Sequence, residues 1–198
     1  IATVFFMRRG VNFSDIASIY DEYLNNLYSY AIHLGFDEQT AMDAIHDIFY
    51  KLCINQSALK EIANHKSYLL SALRNRLIDI KRTERVQANS GSIKDDEADS
   101  LPFQLNVTVE DELIDKEDHV EIKQKLEDYL KKLTDRQREI IYLRYIEEYS
   151  YEEISEIMNI SVESGRNLIS KSLNKLKKSA APMLLIMELL IFLIYLVI

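Results

Sequence analysis

Apolar residues recur along this chain with a helical period, in stretches separated by turn-like punctuation. Between Asp37 and Leu52 (DEQTAMDAIHDIFYKL), Ala41, Ile45, Ile48, Phe49 and Leu52 fall on one face of a helix, and Asp43, His46, Asp47 and Tyr50 on the other. A second helical stretch, SYLLSALRNRLIDIKRTERV at residues 67–86, interleaves Leu77, Ile78 and Ile80 with basic side chains. Further on, Thr134-Asp135-Arg136-Gln137 and Ser150-Tyr151-Glu152-Glu153 both fit a capping box, in which the hydroxyl accepts from the third backbone N–H and the Gln or Glu reaches back. Each predicts a helix start. The helix from Tyr151 sets Ile154, Ile157 and Met158 on one side; Asn159-Ile160-Ser161 then turns the chain, with Ser161 as the next N-cap. The following helix buries Ile169, Leu173 and Leu176. Two short helices joined by about three residues describe a helix-turn-helix.

Composition agrees with an all-α fold. The 198 residues include only four Gly and two Pro and are 47% apolar, enough for real cores and with little to suggest sheet. The single cysteine, Cys53, excludes an internal disulfide and fits a reducing compartment. The apolar run from Val4 to Met7 is too short for a secretory signal, and the start at Ile1 suggests an incomplete or processed N-terminus.

Charge divides the chain. The formal net charge is −8, and Lys94 to Asp118 alone, with ten acidic and two basic residues, also carries −8. With Asn89-Ser90-Gly91-Ser92, Pro102 and no sustained period, this interval reads as an acidic linker. The expected organisation is an N-terminal segment (1–12), a helical domain (13–87), the linker (88–118), a second helical domain (119–179) and a hydrophobic tail (180–198).

Two basic surfaces stand out against the acidic total. From Arg74 to Arg85 there are five basic and two acidic residues; from Ser164 to Lys178, five basic and none acidic. On the predicted last helix, Ser164, Asn167, Ser170, Lys171 and Asn174 point outward, with Arg166 at the flank. Such a face can enter a major groove, where amides and cations read base edges and Lys or Arg neutralises phosphates. Catalytic chemistry is poorly represented: there is no P-loop, CxxC pair or nucleophile elbow. His46-Asp47 is the dipeptide of the metal-dependent HD phosphohydrolases, but the two lie about 100° apart on a helix and lack the converging partners that such a site needs. Neither a metal nor a cofactor is expected.

The strings LKKLTDRQREIIYLRYIEEYSYEEISEIMNI and SVESGRNLISKSLNKLKK together resemble region four of bacterial sigma factors of the extracytoplasmic-function group. The family's Arg-Glu-apolar and Tyr-x-Glu-Ile-Ala words stand here as Arg138-Glu139-Ile140 and Tyr151-Glu152-Glu153-Ile154-Ser155. Gly165 replaces the usual Val, and Leu168 an Arg common in the family. The Asp37–Leu52 stretch is similar to the region-two helix that grips the polymerase clamp. Tyr68-Leu69 through Asn75, Asp79 and Arg82 match the family's pattern for melting and holding the −10 element. The resemblance thus implies a non-enzymatic sigma factor whose partners are core RNA polymerase, promoter DNA and an anti-sigma factor. Asp43, His46, Asp47 and Tyr50 would bind polymerase; Arg74, Asn75, Arg76, Asp79, Lys81, Arg82 and Arg85 the −10 element; and Ser164, Arg166, Asn167, Ser170, Lys171 and Asn174 the −35 element. The competing regulatory reading is a helix-turn-helix repressor or activator that never joins polymerase; such a protein has no use for a clamp-binding helix.

The tail PMLLIMELLIFLIYLVI, Pro182 to Ile198, is apolar except for Glu188 and follows Lys175, Lys177 and Lys178. Sixteen helical residues from Met183 span about 24 Å, short of a hydrocarbon core of roughly 30 Å. The preceding cations fit a positive-inside anchor. The expectation is a cytoplasmic protein tethered through this tail, in contact with membrane lipid, to the inner face of the cytoplasmic membrane; the alternative is a tail packed on protein.

Overall fold

The computed structural model describes residues 13–55, 62–87, 101–105 and 127–179. Among the described residues every regular element is helical: α1 (Phe13–His33), α2 (Glu38–Ile54), α3 (His65–Gln87), α4 (Asp135–Tyr145), α5 (Tyr151–Ile157) and α6 (Val162–Ser179), with a further helical turn at 127–131.

In the first half, the chain leaves α1 through Gly35, whose φ of +80° suits a residue without a Cβ. Asp37 then caps α2, its carboxylate accepting from the Thr40 N–H at 3.0 Å and from Thr40 Oγ1 at 2.7 Å. These bonds, the backbone one foremost, hold the Asp37 carboxyl below its ordinary pKa. The face predicted to be apolar is buried: Ala41, Ile45, Ile48, Phe49 and Leu52 from α2 meet Leu69, Leu70, Leu73 and Leu77 from α3. α1 and the turn that follows it close the bundle with Leu27, Tyr30, Ala31 and Leu34.

In the second half both predicted capping boxes form. Gln137 N–H donates to Thr134 Oγ1 (3.3 Å) and Thr134 N–H to Gln137 Oε1 (3.1 Å); Glu153 N–H donates to Ser150 Oγ (3.2 Å) and Ser150 N–H to Glu153 Oε2 (2.7 Å). The turn after α5 passes through Asn159 at φ +51°, a left-handed conformation that Asn tolerates. Ser161 Oγ then accepts from the Ser164 N–H at 3.1 Å and caps α6. The α5–turn–α6 unit is the expected helix-turn-helix.

Gly165 is buried in the first turns of α6. A Cβ added there would stand 3.7 Å from Ile160 Cδ1 and 4.0 Å from Ile140 Cδ1, ordinary van der Waals distances. Gly165→Ala is therefore expected to stabilise the protein by about 1 kcal/mol through helix propensity. An unchanged or lowered denaturant midpoint at constant m would contradict this.

The acidic interval, read from the sequence as a linker, contains a stretch that packs into the core. Leu101 and Phe103 are almost fully buried, 2% and 0% exposed, and residues 101–105 lie between the two halves. Gln104 N–H donates to the His33 C=O at 2.7 Å, Phe103 N–H to Asp135 Oδ1 at 3.0 Å, and Arg138 Nε to the Phe103 C=O at 2.7 Å. Pro102 meets Gly35 so closely that a Cβ there would stand 3.2 Å from Pro102 Cγ. One apolar core consequently runs from Ile16 of α1 to Ile169 of α6. The rest of the interval, the N-terminal segment 1–12 and the tail 180–198 lie outside the described residues. Among the described residues no helix is long and apolar enough to cross a membrane.

Candidate nucleic-acid interface

α6 owes its two-faced character to the spacing of its apolar residues. Ile169 is buried and Leu168, Leu173 and Leu176 are half-buried against α4 and α5, so the intervening positions turn outward. Ser164, Arg166, Asn167, Ser170, Lys171 and Asn174 are all exposed, as their spacing predicted. Two of them are already oriented. The Arg166 guanidinium lies 5.2 Å from the Tyr151 ring centre and 3.8 Å from Glu152 Oε1, while Ser164 Oγ is 2.8 Å from Ser161 Oγ. α5 therefore braces the N-terminal end of α6, the end a helix-turn-helix directs at base edges.

The basic stretch lies wholly on α3. Asn75, Asp79 and Arg82 are exposed on it, whereas Arg76 and Lys81 are only partly so and Arg74 is buried. Arg76 is half-exposed and grips Asp47 of α2 through Nε (2.9 Å) and Nη2 (2.6 Å), linking one expected −10 residue to one expected polymerase-binding residue. Lys81 is half-buried, its pKa lowered by that burial and by neighbouring Arg85, which is itself half-exposed.

Arg74 requires correction. The sequence places it among the phosphate-facing cations, yet it is only 4% exposed. Its Nε donates to Glu139 Oε1 at 2.7 Å, and Tyr30 Oη donates to the same oxygen at 2.6 Å. The reason is helical phase: residues 67, 70, 74 and 78 share the side of α3 covered by the second half, so Arg74 points into the seam and Asn75 away from it. Burial, with Glu139 adding to it, raises the Tyr30 phenol well above its usual pKa and keeps it a donor.

On α2, Asp43, His46 and Tyr50 are exposed and Asp47 is half-exposed; Ile54, at 65% exposure, extends the same surface. The His46 ring stacks on Tyr20, with Nε2 3.2 Å from Tyr20 Oη, and Asp47 is taken by Arg76. The pair does not converge as metal ligands would. Among the described residues no group of three or more His, Cys, Asp or Glu could hold a metal ion.

Sequence reading missed the residues that join the halves. Glu139 is 1% exposed and receives both Arg74 and Tyr30. Arg138 binds the carbonyls of Phe103, Leu133 (2.8 Å) and Leu130 (3.2 Å) as well as Asp135. The available signal was the alternation of Leu101, Phe103 and Leu105, which gives a short segment one apolar side.

Comparison with known proteins identifies both halves. The family model for sigma-70 region 2 matches residues 19–86, and that for sigma-70 region 4 matches residues 129–178. The chain belongs to the sigma-70 family of sigma factors, in its extracytoplasmic-function group. It is 30% identical over 162 residues to the ECF RNA polymerase sigma factor SigM of Bacillus subtilis, covering 82% of this chain and 93% of that one. It is 25% identical to the ECF sigma factor SigX of the same organism (81% and 80% covered) and 24% identical to its sigma factor SigZ (83% and 86%). Among solved structures, the fold is similar to that of the sigma factor RpoE of Bartonella quintana in complex with the anti-sigma factor NepR. There the TM-score is 0.57 at 22% identity, over 83% of this chain and 96% of that one.

Proposed function

We propose that this protein binds core RNA polymerase and directs it to promoters, reading the −35 element with α6 and opening the −10 element with α3. The observation that carries this reading is the co-occurrence, in family order, of a region-2 unit with an exposed clamp-type face and a region-4 helix-turn-helix with an exposed, acid-free groove face. A repressor or activator acting alone accounts for the second unit and leaves the first without a use. The work is binding and strand separation, with phosphodiester chemistry left to the polymerase. Asn75 is the proposed contact to an unstacked base, with Asp79 and Arg82 beside it and Arg76, Lys81 and Arg85 toward phosphates. Ser164, Arg166, Asn167, Ser170, Lys171 and Asn174 form the proposed −35 contact.

The polymerase assignment rests on Asp43, His46, Asp47 and Tyr50 sharing the outward side of α2. Asp43→Ala combined with Asp47→Ala is expected to weaken core binding about tenfold, with helix content intact. Core affinity equal to wild type in a titration would remove the assignment.

A cytoplasmic location follows from this role, and the sigma factor with a similar fold was solved with an anti-sigma factor, which supports a partner of that kind here. The tail is the proposed tether to membrane lipid, because the run from Met183 to Ile198 is apolar but for Glu188. The full chain is expected to pellet with membranes and resist high-salt extraction, and a chain ending at residue 179 to stay in the supernatant. A full chain found in the high-speed supernatant without detergent would exclude the tether.

A further inference from the structure

His46 stands exposed on the face of α2 assigned to polymerase, yet its ring is held from another helix. Tyr20 of α1 lies against it: the ring planes are 13° apart with centres at 6.2 Å, and Tyr20 Oη is 3.2 Å from His46 Nε2. Tyr20 is fixed in turn. Its ring meets the buried Phe49 edge-on at 5.0 Å, the planes 76° apart. The apolar core thus orients an exposed imidazole through one half-buried aromatic of α1.

The groups around this ring set what its charge would do. Asp43, three residues earlier, and Tyr50, four later, are its neighbours along α2, and Asp47 follows it in sequence. Arg76 of α3 is committed to Asp47 by contacts of 2.9 and 2.6 Å. On α1 the acidic groups next to Tyr20 are Asp21 and Glu22, both exposed. Two carboxylates of α2 against one guanidinium leave the face negative, so the surface that docks on it is cationic. An imidazole, unlike a carboxylate or a phenol, changes charge near neutral pH. Neutral, it can pack against such a partner and share a hydrogen bond with it. Protonated, it sets a positive charge against a cationic surface and offers Asp43 a nearer counter-ion. Both effects weaken docking as pH falls.

We propose that the Tyr20–His46 pair is a pH-sensitive contact to core polymerase, in which His46 docks neutral and Tyr20 is the positioning residue that fixes its ring. This rests on the polymerase assignment of α2 above and adds a residue of α1 and a regulation to it. A cell interior that acidifies would then release the factor from polymerase without any change in its fold.

Core affinity of the full chain, titrated between about pH 8 and about pH 5.5, tests this beside His46→Gln, which stays polar and cannot take up a proton. The wild-type dissociation constant is expected to rise about tenfold more over this range than that of His46→Gln. Titration of the polymerase itself enters both profiles alike and cancels. Tyr20→Phe keeps the ring on Phe49 and removes Oη. It should weaken binding about threefold near pH 8, with circular dichroism unchanged, and should have no further effect in a His46→Ala background. Parallel pH profiles for wild type and His46→Gln, or a wild-type affinity that rises toward acid relative to His46→Gln, would overturn the proposal. A Tyr20→Phe effect of equal size in both backgrounds would remove Tyr20 as a positioning residue. A wild-type chain that binds core at no pH would instead refute the polymerase reading, and this contact with it.

Discussion

Replacing Arg138 with methionine is expected to lower stability by about 3 kcal/mol, one of the largest effects of any single change outside the apolar core. The guanidinium is mostly buried and bonds three carbonyls, those of Phe103, Leu130 and Leu133, while also pairing with Asp135. Methionine fills much of the same space and restores none of these bonds, so several buried acceptors lose their donor together. The interval 101–105 should loosen with it, because Arg138 Nε and Asp135 hold the Phe103 backbone from both sides. Denaturant unfolding measures the first effect and amide exchange at Gln104, whose N–H is bonded to His33, the second. A loss below about 0.5 kcal/mol, within the range of an ordinary surface change, would show that these bonds form equally well with water.

The second large effect separates recognition from melting. Asn75→Ala is expected to reduce open-complex formation by about 10- to 100-fold, the cost of one lost set of base contacts, while leaving −35 affinity nearly unchanged. Lys171→Ala should do the reverse, lowering affinity for a −35 fragment uniformly and reducing the salt dependence of binding by about one counterion. Both side chains are exposed and lie outside the apolar core, so neither change should alter stability by more than about 0.5 kcal/mol. Permanganate reactivity of the −10 strand reads the first variant and salt-dependent titration the second. Exchanged phenotypes would reverse the division of labour between α3 and α6.

What could be read from the sequence was what local physics determines. The two capping boxes lie within four residues each, and α2 declares its buried face through apolar spacing alone, so both survived contact with the structure. The exposed face of α6 was legible for the same reason, and even Gly165 fell on the buried side as counted. Arg74 was not legible, because its environment is set by Glu139, 65 positions away, and nothing in the α3 sequence distinguishes it from Arg76 or Arg82. The packing of Leu101 and Phe103 was hidden in the same way. Their acidic surroundings dominate any compositional window, while the cavity that receives them is made jointly by α1 and α4. Glu139 belongs to the motif that carried the family resemblance, yet its burial and its two donors become visible only when the halves are in contact.

Reconstituted transcription decides whether this chain confers promoter-specific initiation on core RNA polymerase. Purified full-length protein is added to core polymerase on fragmented genomic DNA, and transcript 5′ ends are mapped. Starts are expected that appear only when the factor is present, share common −10 and −35 sequences upstream, and weaken with Asn75→Ala. Transcription indistinguishable from core polymerase alone, under conditions where the protein is folded and the fragments include its own promoters, would contradict it.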